Sequence, residues 1–179
     1  YMCRKISKAI GVMKYVSKYV PQQSKKLIYN TIVMPHFDYC CTVWSATSKY
    51  NIERLQKLQN RAMRIILQCR CDTHIRDMLN RLGFLSIENR IKLHLAILMF
   101  KIKNNLVPDY LMYDDLFFHN VRSHRLQYNN NFQVNRHHSN SLHVRGVQLW
   151  NSLPREIKTI NNLVEFKKQY IKYVWDSCD

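Results

Sequence analysis

The stretch NIERLQKLQNRAMRIILQC, residues 51–69, decides how the rest of the chain is read. Ile52, Leu55, Leu58, Ala62 and Ile65 succeed one another at steps of three and four. At about 3.6 residues per turn this spacing gathers them into one stripe, which predicts an amphipathic helix. Arg54, Lys57, Arg61 and Arg64 recur at steps of three, four and three. They therefore share a face beside the apolar stripe, so that one face can pack while its neighbour stays in water. Glu53 is the one acidic residue near these four cations, so local neutralisation is weak.

The same periodicity extends outward in both directions. Upstream, residues 2–20 predict a helix with Ile6, Ile10, Met13, Val16 and Val20 on one face. Arg4, Lys8, Lys14 and Lys18 fall on the opposite face. Pro21 opens a second segment, PQQSKKLIYNTIVM, which Pro35 is expected to close, and the compact aromatic block HFDYCCTVW follows. Downstream, a short helix is expected over about 74–82, ending near Gly83 as its C-cap. Ser86 is placed to cap a long apolar helix, IENRIKLHLAILMFKIKNNL.

After residue 118 the pattern changes. From Leu116 to Arg155 there is no Asp or Glu; the stretch holds Arg122, Arg125, Arg136 and Arg145, five histidines and the tract Asn129–Asn131. This reads as an irregular basic segment. Helical order returns at VQLWNSLPREIK, where Pro154 suits a first turn and Glu156 complements its positive end. A last amphipathic helix carries Leu163, Phe166, Tyr170 and Val174, and Trp150 and Leu153 are expected to anchor the C-terminal helices on the core. The expected fold class is all-α. A helical bundle covers 1–118, an irregular Asn/His-rich basic segment 119–146, and C-terminal helices packing on the bundle 147–179. Only three glycines and four prolines occur, which argues against a loop-rich β fold.

Charge narrows the function. Lys and Arg number 28 against 12 Asp and Glu, a surplus of +16. Such a surplus predicts polyanionic partners, nucleic acid first and an acidic membrane surface second. No apolar run approaches the ~20 residues of a membrane span. The six cysteines show no disulfide framework and no signal peptide is visible, so an intracellular, reducing setting in nucleus or cytoplasm is expected. The pattern is already amphipathic at Tyr1, and the chain reads as an excerpt from a longer one.

Four constellations are candidates for chemistry or binding. The pair Asp114-Asp115 in LMYDDLFF has the look of a polymerase metal site. Two-metal chemistry needs a further carboxylate from another strand, and Asp38, Asp72 and Asp77 do not sit in strand-like sequence. An exposed acidic helix tip is the better reading. Cys69, Cys71 and His74, with Cys40 or Cys41, offer zinc ligand types, but C-x-C and adjacent cysteines are poor zinc spacing. His119, His124, His137, His138 and His143 lack the carboxylate and helical spacing of a catalytic site. The basic stripes remain: Lys8, Lys14 and Lys18 on the first helix, and Arg54, Lys57, Arg61 and Arg64 on residues 51–69. They are read as the nucleic-acid-binding residues, and no catalytic or metal-binding residue is assigned. Tyr29, Phe37, Tyr39, Trp44 and Trp150 sit in apolar patterns and are expected to pack in the core rather than to stack on bases.

Several blocks resemble one family in order and spacing: KISKAIGVMKYVSKYVP, LIYNTIVMPHFDYCCTVW, IERLQKLQNRAMRII, LGFLSIENRIKLHLAILMFKIKNNLVPDYL and GVQLWNSLPREIK. They resemble the region that follows the polymerase domain in jockey-like non-LTR retrotransposon reverse transcriptases. The resemblance covers nearly the whole chain. It departs at SHRLQ, residues 123–127, where the family usually shows a Thr-Arg pair. It implies a thumb-like helical domain over 1–118 that grips primer–template RNA/DNA duplex through phosphates without sequence preference. The palm and fingers would precede Tyr1. Magnesium would belong to that palm, so no cofactor is expected in this chain and no polymerase activity from it alone. The alternative expectation is a non-catalytic retrotransposon remnant acting as a helical protein-interaction module.

Overall fold

A computed structural model describes residues 1–108, 131–132 and 142–177. Among these the chain is all-α, with no strand. They fall into two compact units, residues 1–91 and 92–179. This division comes earlier than the boundary expected at residue 118.

In the first unit, α1 (Met2–Val16) buries Ile6, Ala9, Ile10 and Met13. It stops short of Val20 because Pro21 disfavours helical backbone at the residue before it. Ser17 caps the end, its hydroxyl donating to the Lys14 carbonyl at 2.7 Å. Next come α2 (Gln22–Ile28), a π-helical turn (Tyr29–Val33) and α3 (Met34–Asp38). Pro35 was expected to close this segment; instead it sits in the first turn of α3. Proline lacks the N–H and crowds the carbonyl four residues back. The π turn relieves that conflict by shifting the register, the Met34 N–H donating to the Tyr29 carbonyl. Cys40, at φ 50°, then starts the single turn α4 (Cys41–Trp44).

The decisive helix is α5 (Lys49–Leu67), but its buried face is rotated from the expected stripe. Leu55 and Ala62 are buried as expected, whereas Ile52, Leu58 and Ile65 are only partly so. Gln59, Asn60, Met63 and Ile66 complete the buried set. The cause is polar burial. The Gln59 side chain donates to the Leu85 carbonyl at 2.9 Å, and the Gln56 side chain accepts from the Ile87 N–H at 2.8 Å. Glutamines thus occupy inner positions by satisfying backbone groups that would otherwise be costly to bury.

The helix α6 (Ile75–Leu82) ends on Gly83 at φ 65°. Phe84 N–H donates to the Leu79 carbonyl and Gly83 N–H to that of Asn80, the paired bonds of a Schellman end. Ser86 caps α7 (Ile87–Lys103), its hydroxyl accepting from the Asn89 N–H at 3.2 Å. Arg90 from α7 grips Asp38 through Nε and a terminal nitrogen, at 2.5 and 2.7 Å.

In the second unit, α7 continues with Leu93, Leu95, Ala96, Met99 and Phe100 buried. It is followed by α8 (Leu142–Ser152), α9 (Arg155–Lys158) and α10 (Leu163–Asp176). Helix α8 begins inside the stretch 119–146 expected to be irregular. Its reason is packing: Val144 and Val147 are buried on the side of Trp150. At Gly146 a Cβ would come 2.7 Å from Met99 Sδ, so glycine lets α8 approach α7 closely. Trp150 and Leu153 are buried, as expected. Trp150 stacks on Phe166 at 5.9 Å, and Phe166 meets Phe100 at 4.7 Å. Phe166, Tyr170 and Val174 form the inner face of α10, which Asn162 caps by accepting from the Val164 and Glu165 N–H groups.

One polar knot lies within this unit. Lys158 is buried, its ammonium donating to Asn131 Oδ1 at 2.8 Å and the Asn151 carbonyl at 2.9 Å. The Asn151 amide pairs with both backbone groups of Phe132. Lys103 donates to the Lys158 carbonyl. Burial lowers the pKa of both lysines.

Candidate nucleic-acid interface

Helix α5 carries a row of exposed cations in the first unit. Its buried residues are Leu55, Gln59, Asn60, Ala62, Met63 and Ile66. At about 100° per residue Arg54, Lys57 and Arg61 lie on the side turned away from these. All three are exposed. Arg54 lies over the exposed Tyr50 ring at 5.8 Å, a contact that orients the guanidinium without neutralising it.

Arg64 shares their spacing but not their setting. It is half-buried; one terminal nitrogen donates to the Cys71 carbonyl at 3.1 Å, and its buried Nε has no partner. This side chain ties the end of α5 to the loop before α6. The exposed cationic set is therefore Arg54, Lys57 and Arg61.

The cations of α1 are arranged differently. Lys8, Lys14 and Lys18 are exposed, but Lys18 lies in the turn beyond the helix. Lys14 falls in the last turn, where a cation also complements the negative helix end. Lys8 points away from Ile6, Ala9, Ile10 and Met13. Lys8 and Lys14 on α1, like Arg54, Lys57 and Arg61 on α5, thus sit on exposed sides of two helices that pack together, while Lys18 extends the α1 set into the following turn.

The other candidates separate. Cys69 lies 3.5 Å from the Met78 sulfur, Cys71 and His74 are exposed, Cys40 is exposed and Cys41 buried. Among the described residues no group of three or more His, Cys, Asp or Glu is gathered for a metal. Asp114, Asp115, Arg122, Arg125, Arg136 and the histidines 119, 124, 137 and 138 lie outside the described residues, as does the side chain of His143. No described helix is long and apolar enough to cross a membrane.

The aromatic residues divide. Tyr29, Phe37 and Trp150 are buried, and Trp44 is half-buried with its indole N–H donating to the Tyr39 carbonyl at 2.8 Å. Tyr39 departs from the expectation and is 78% exposed, because it leaves α3 in extended backbone ahead of the Cys40 turn. Sequence reasoning passed over Tyr15 and Tyr19, which are 70% and 75% exposed. The signal was available. Residues 1–37 hold seven Lys and Arg with no Asp or Glu, and Tyr15 falls on the Lys8 side of α1.

Searches against protein-family models, curated proteins and solved structures gave no match to this chain.

Proposed function

We propose that this chain is a thumb-like, nucleic-acid-gripping part of an RNA-directed DNA polymerase of the non-LTR retrotransposon type. The observation that carries the reading is the outward face of α5, where Arg54, Lys57 and Arg61 stand exposed on a rigid helix. The +16 surplus supports it, since few acids are available to neutralise these cations. The ordered blocks that resemble such enzymes support it as well. The role assigned is grip: the cations meet phosphates and hold a duplex without reading its bases. The metal ions of the chemistry belong to the palm of such enzymes and are given no ligand in this chain.

A second reading, a helical protein-interaction module, is favoured by Leu27, Tyr39 and Val43, large side chains left more than half exposed. Equilibrium binding separates the two. Short DNA duplexes and RNA–DNA hybrids of scrambled sequence are titrated with the full chain and with R54Q/K57Q/R61Q. The grip reading expects similar affinity across sequences and marked weakening in the variant. Absence of binding, or binding unchanged by the substitutions, would favour the protein-interaction reading.

A further inference from the structure

We infer that the outer side of α1 is a second nucleic-acid surface, one that takes an unpaired strand by stacking its bases on Tyr15 and Tyr19. The inference rests on the nucleic-acid reading above but uses other residues and another form of the ligand.

Four observations meet on this face. Arg4, Lys8 and Tyr15 follow at steps of four and seven, close to whole helical turns, so they lie in one line on α1, and Tyr19, in the turn beyond Val16, is set beside Tyr15 by their ring contact. The two tyrosines are mostly exposed and pair edge to face at 6.2 Å, a contact that covers a single ring face of the pair. The surrounding sequence, residues 1–37, is free of acid. Gly11 lies between the cations and the rings, and the chain itself gives no reason for it. Its φ is not in the left-handed region, and a Cβ there would meet nothing within 4 Å. A mid-helix glycine disfavours the helix relative to alanine. A ligand backbone that must come close to the helix supplies the missing reason.

The chemistry selects among partners. Cations beside open aromatic rings suit single-stranded nucleic acid, whose phosphates and unstacked bases are both available; in a duplex the bases are already stacked on one another. A helix lying in a membrane surface inserts its apolar face. The apolar face of α1 is already used, since Ile6, Ala9, Ile10 and Met13 are buried within the protein. Protein interfaces are depleted in lysine at their centres, and lysine is prominent here.

The test is fluorescence anisotropy with the full chain. The ligands are a single-stranded oligonucleotide of about 12 residues, within the usual site size, the matching duplex, and phosphatidylserine vesicles. Y15Q/Y19Q should weaken single-strand binding by about thirtyfold or more, the lower end of what two lost stacking contacts cost. Duplex affinity and helical circular dichroism should stay unchanged. Y15F/Y19F should bind like the parent, because the ring rather than the hydroxyl is used. G11A should raise the melting temperature and weaken single-strand binding. Unchanged single-strand affinity in Y15Q/Y19Q overturns the inference. So does equal loss on single strand and duplex, which would merge this face with the α5 grip. Loss on vesicles alone would assign the face to lipid and overturn it too. Duplex binding without single-strand binding removes this inference and leaves the proposed function standing, while the reverse result removes the duplex grip alone.

Discussion

Trp150 and Tyr29 show how two side chains read as core residues act in the packed protein. Trp150 is fully buried, stacked on Phe166 and flanked by Phe132. Truncation would leave a cavity that the surrounding rings cannot close, so Trp150→Ala should cost about 3–5 kcal/mol. Chemical denaturation measures this directly; an unchanged midpoint would contradict the packing. Tyr29 is equally buried, stacked on Phe84 at 4.8 Å, and burial pushes its phenol from 10.0 up to about 12. The sign follows from proton binding. Between pH 10 and 12 the unfolded chain releases this proton while the folded chain keeps it, so stability falls as pH rises. Tyr170 adds to the same trend, raised by burial and by Tyr173. The melting temperature should therefore drop across that window, and Tyr29→Phe should make the drop smaller. A steeper drop in the variant would contradict this account.

At the scale of elements, legibility depended on whether apolar spacing alone set the inner face. In α10 it did: Phe166, Tyr170 and Val174 are buried as their spacing requires. Gly83 and Ser86 likewise end and start helices by their own local chemistry. In α5 it did not, because Gln59 is fully buried through a bond to a carbonyl 26 residues away. No periodicity within the helix reveals such a partner. Pro35 was misread for a related reason, since a π turn absorbs its effect without ending the helical run. The Asp38–Arg90 pair is another long-range feature, joining α3 to α7 across 52 residues. Both side chains are less than a third exposed. Asp38→Ala would leave the guanidinium without its two charge-assisted bonds, and a loss of about 1.5–3 kcal/mol is expected. Thermal unfolding of D38A checks it, and a shift within error of the parent would show that the pair contributes little.

For the whole molecule, charge is the property that was plainest in sequence and hardest to place. The surplus of +16 was visible at once, and the spacing of Arg54, Lys57, Arg61 and Arg64 marked one face. Spacing alone could not separate Arg64, whose bond to the Cys71 carbonyl depends on where the following loop returns. It also gave no weight to Tyr15 and Tyr19: the acid-free run around them was visible in the sequence, but their exposure is a property of the packed protein. The central claim is that Arg54, Lys57 and Arg61 meet phosphates. Each such contact contributes about −0.9 to the slope of log affinity against log salt on duplex DNA. The deciding measurement is that slope for the parent chain and for R54Q/K57Q/R61Q, with R64Q as the comparison. The account predicts a slope flatter by up to about 2.7 in the triple variant and little change in R64Q. Parallel slopes for parent and triple variant, at equal affinity, would contradict it.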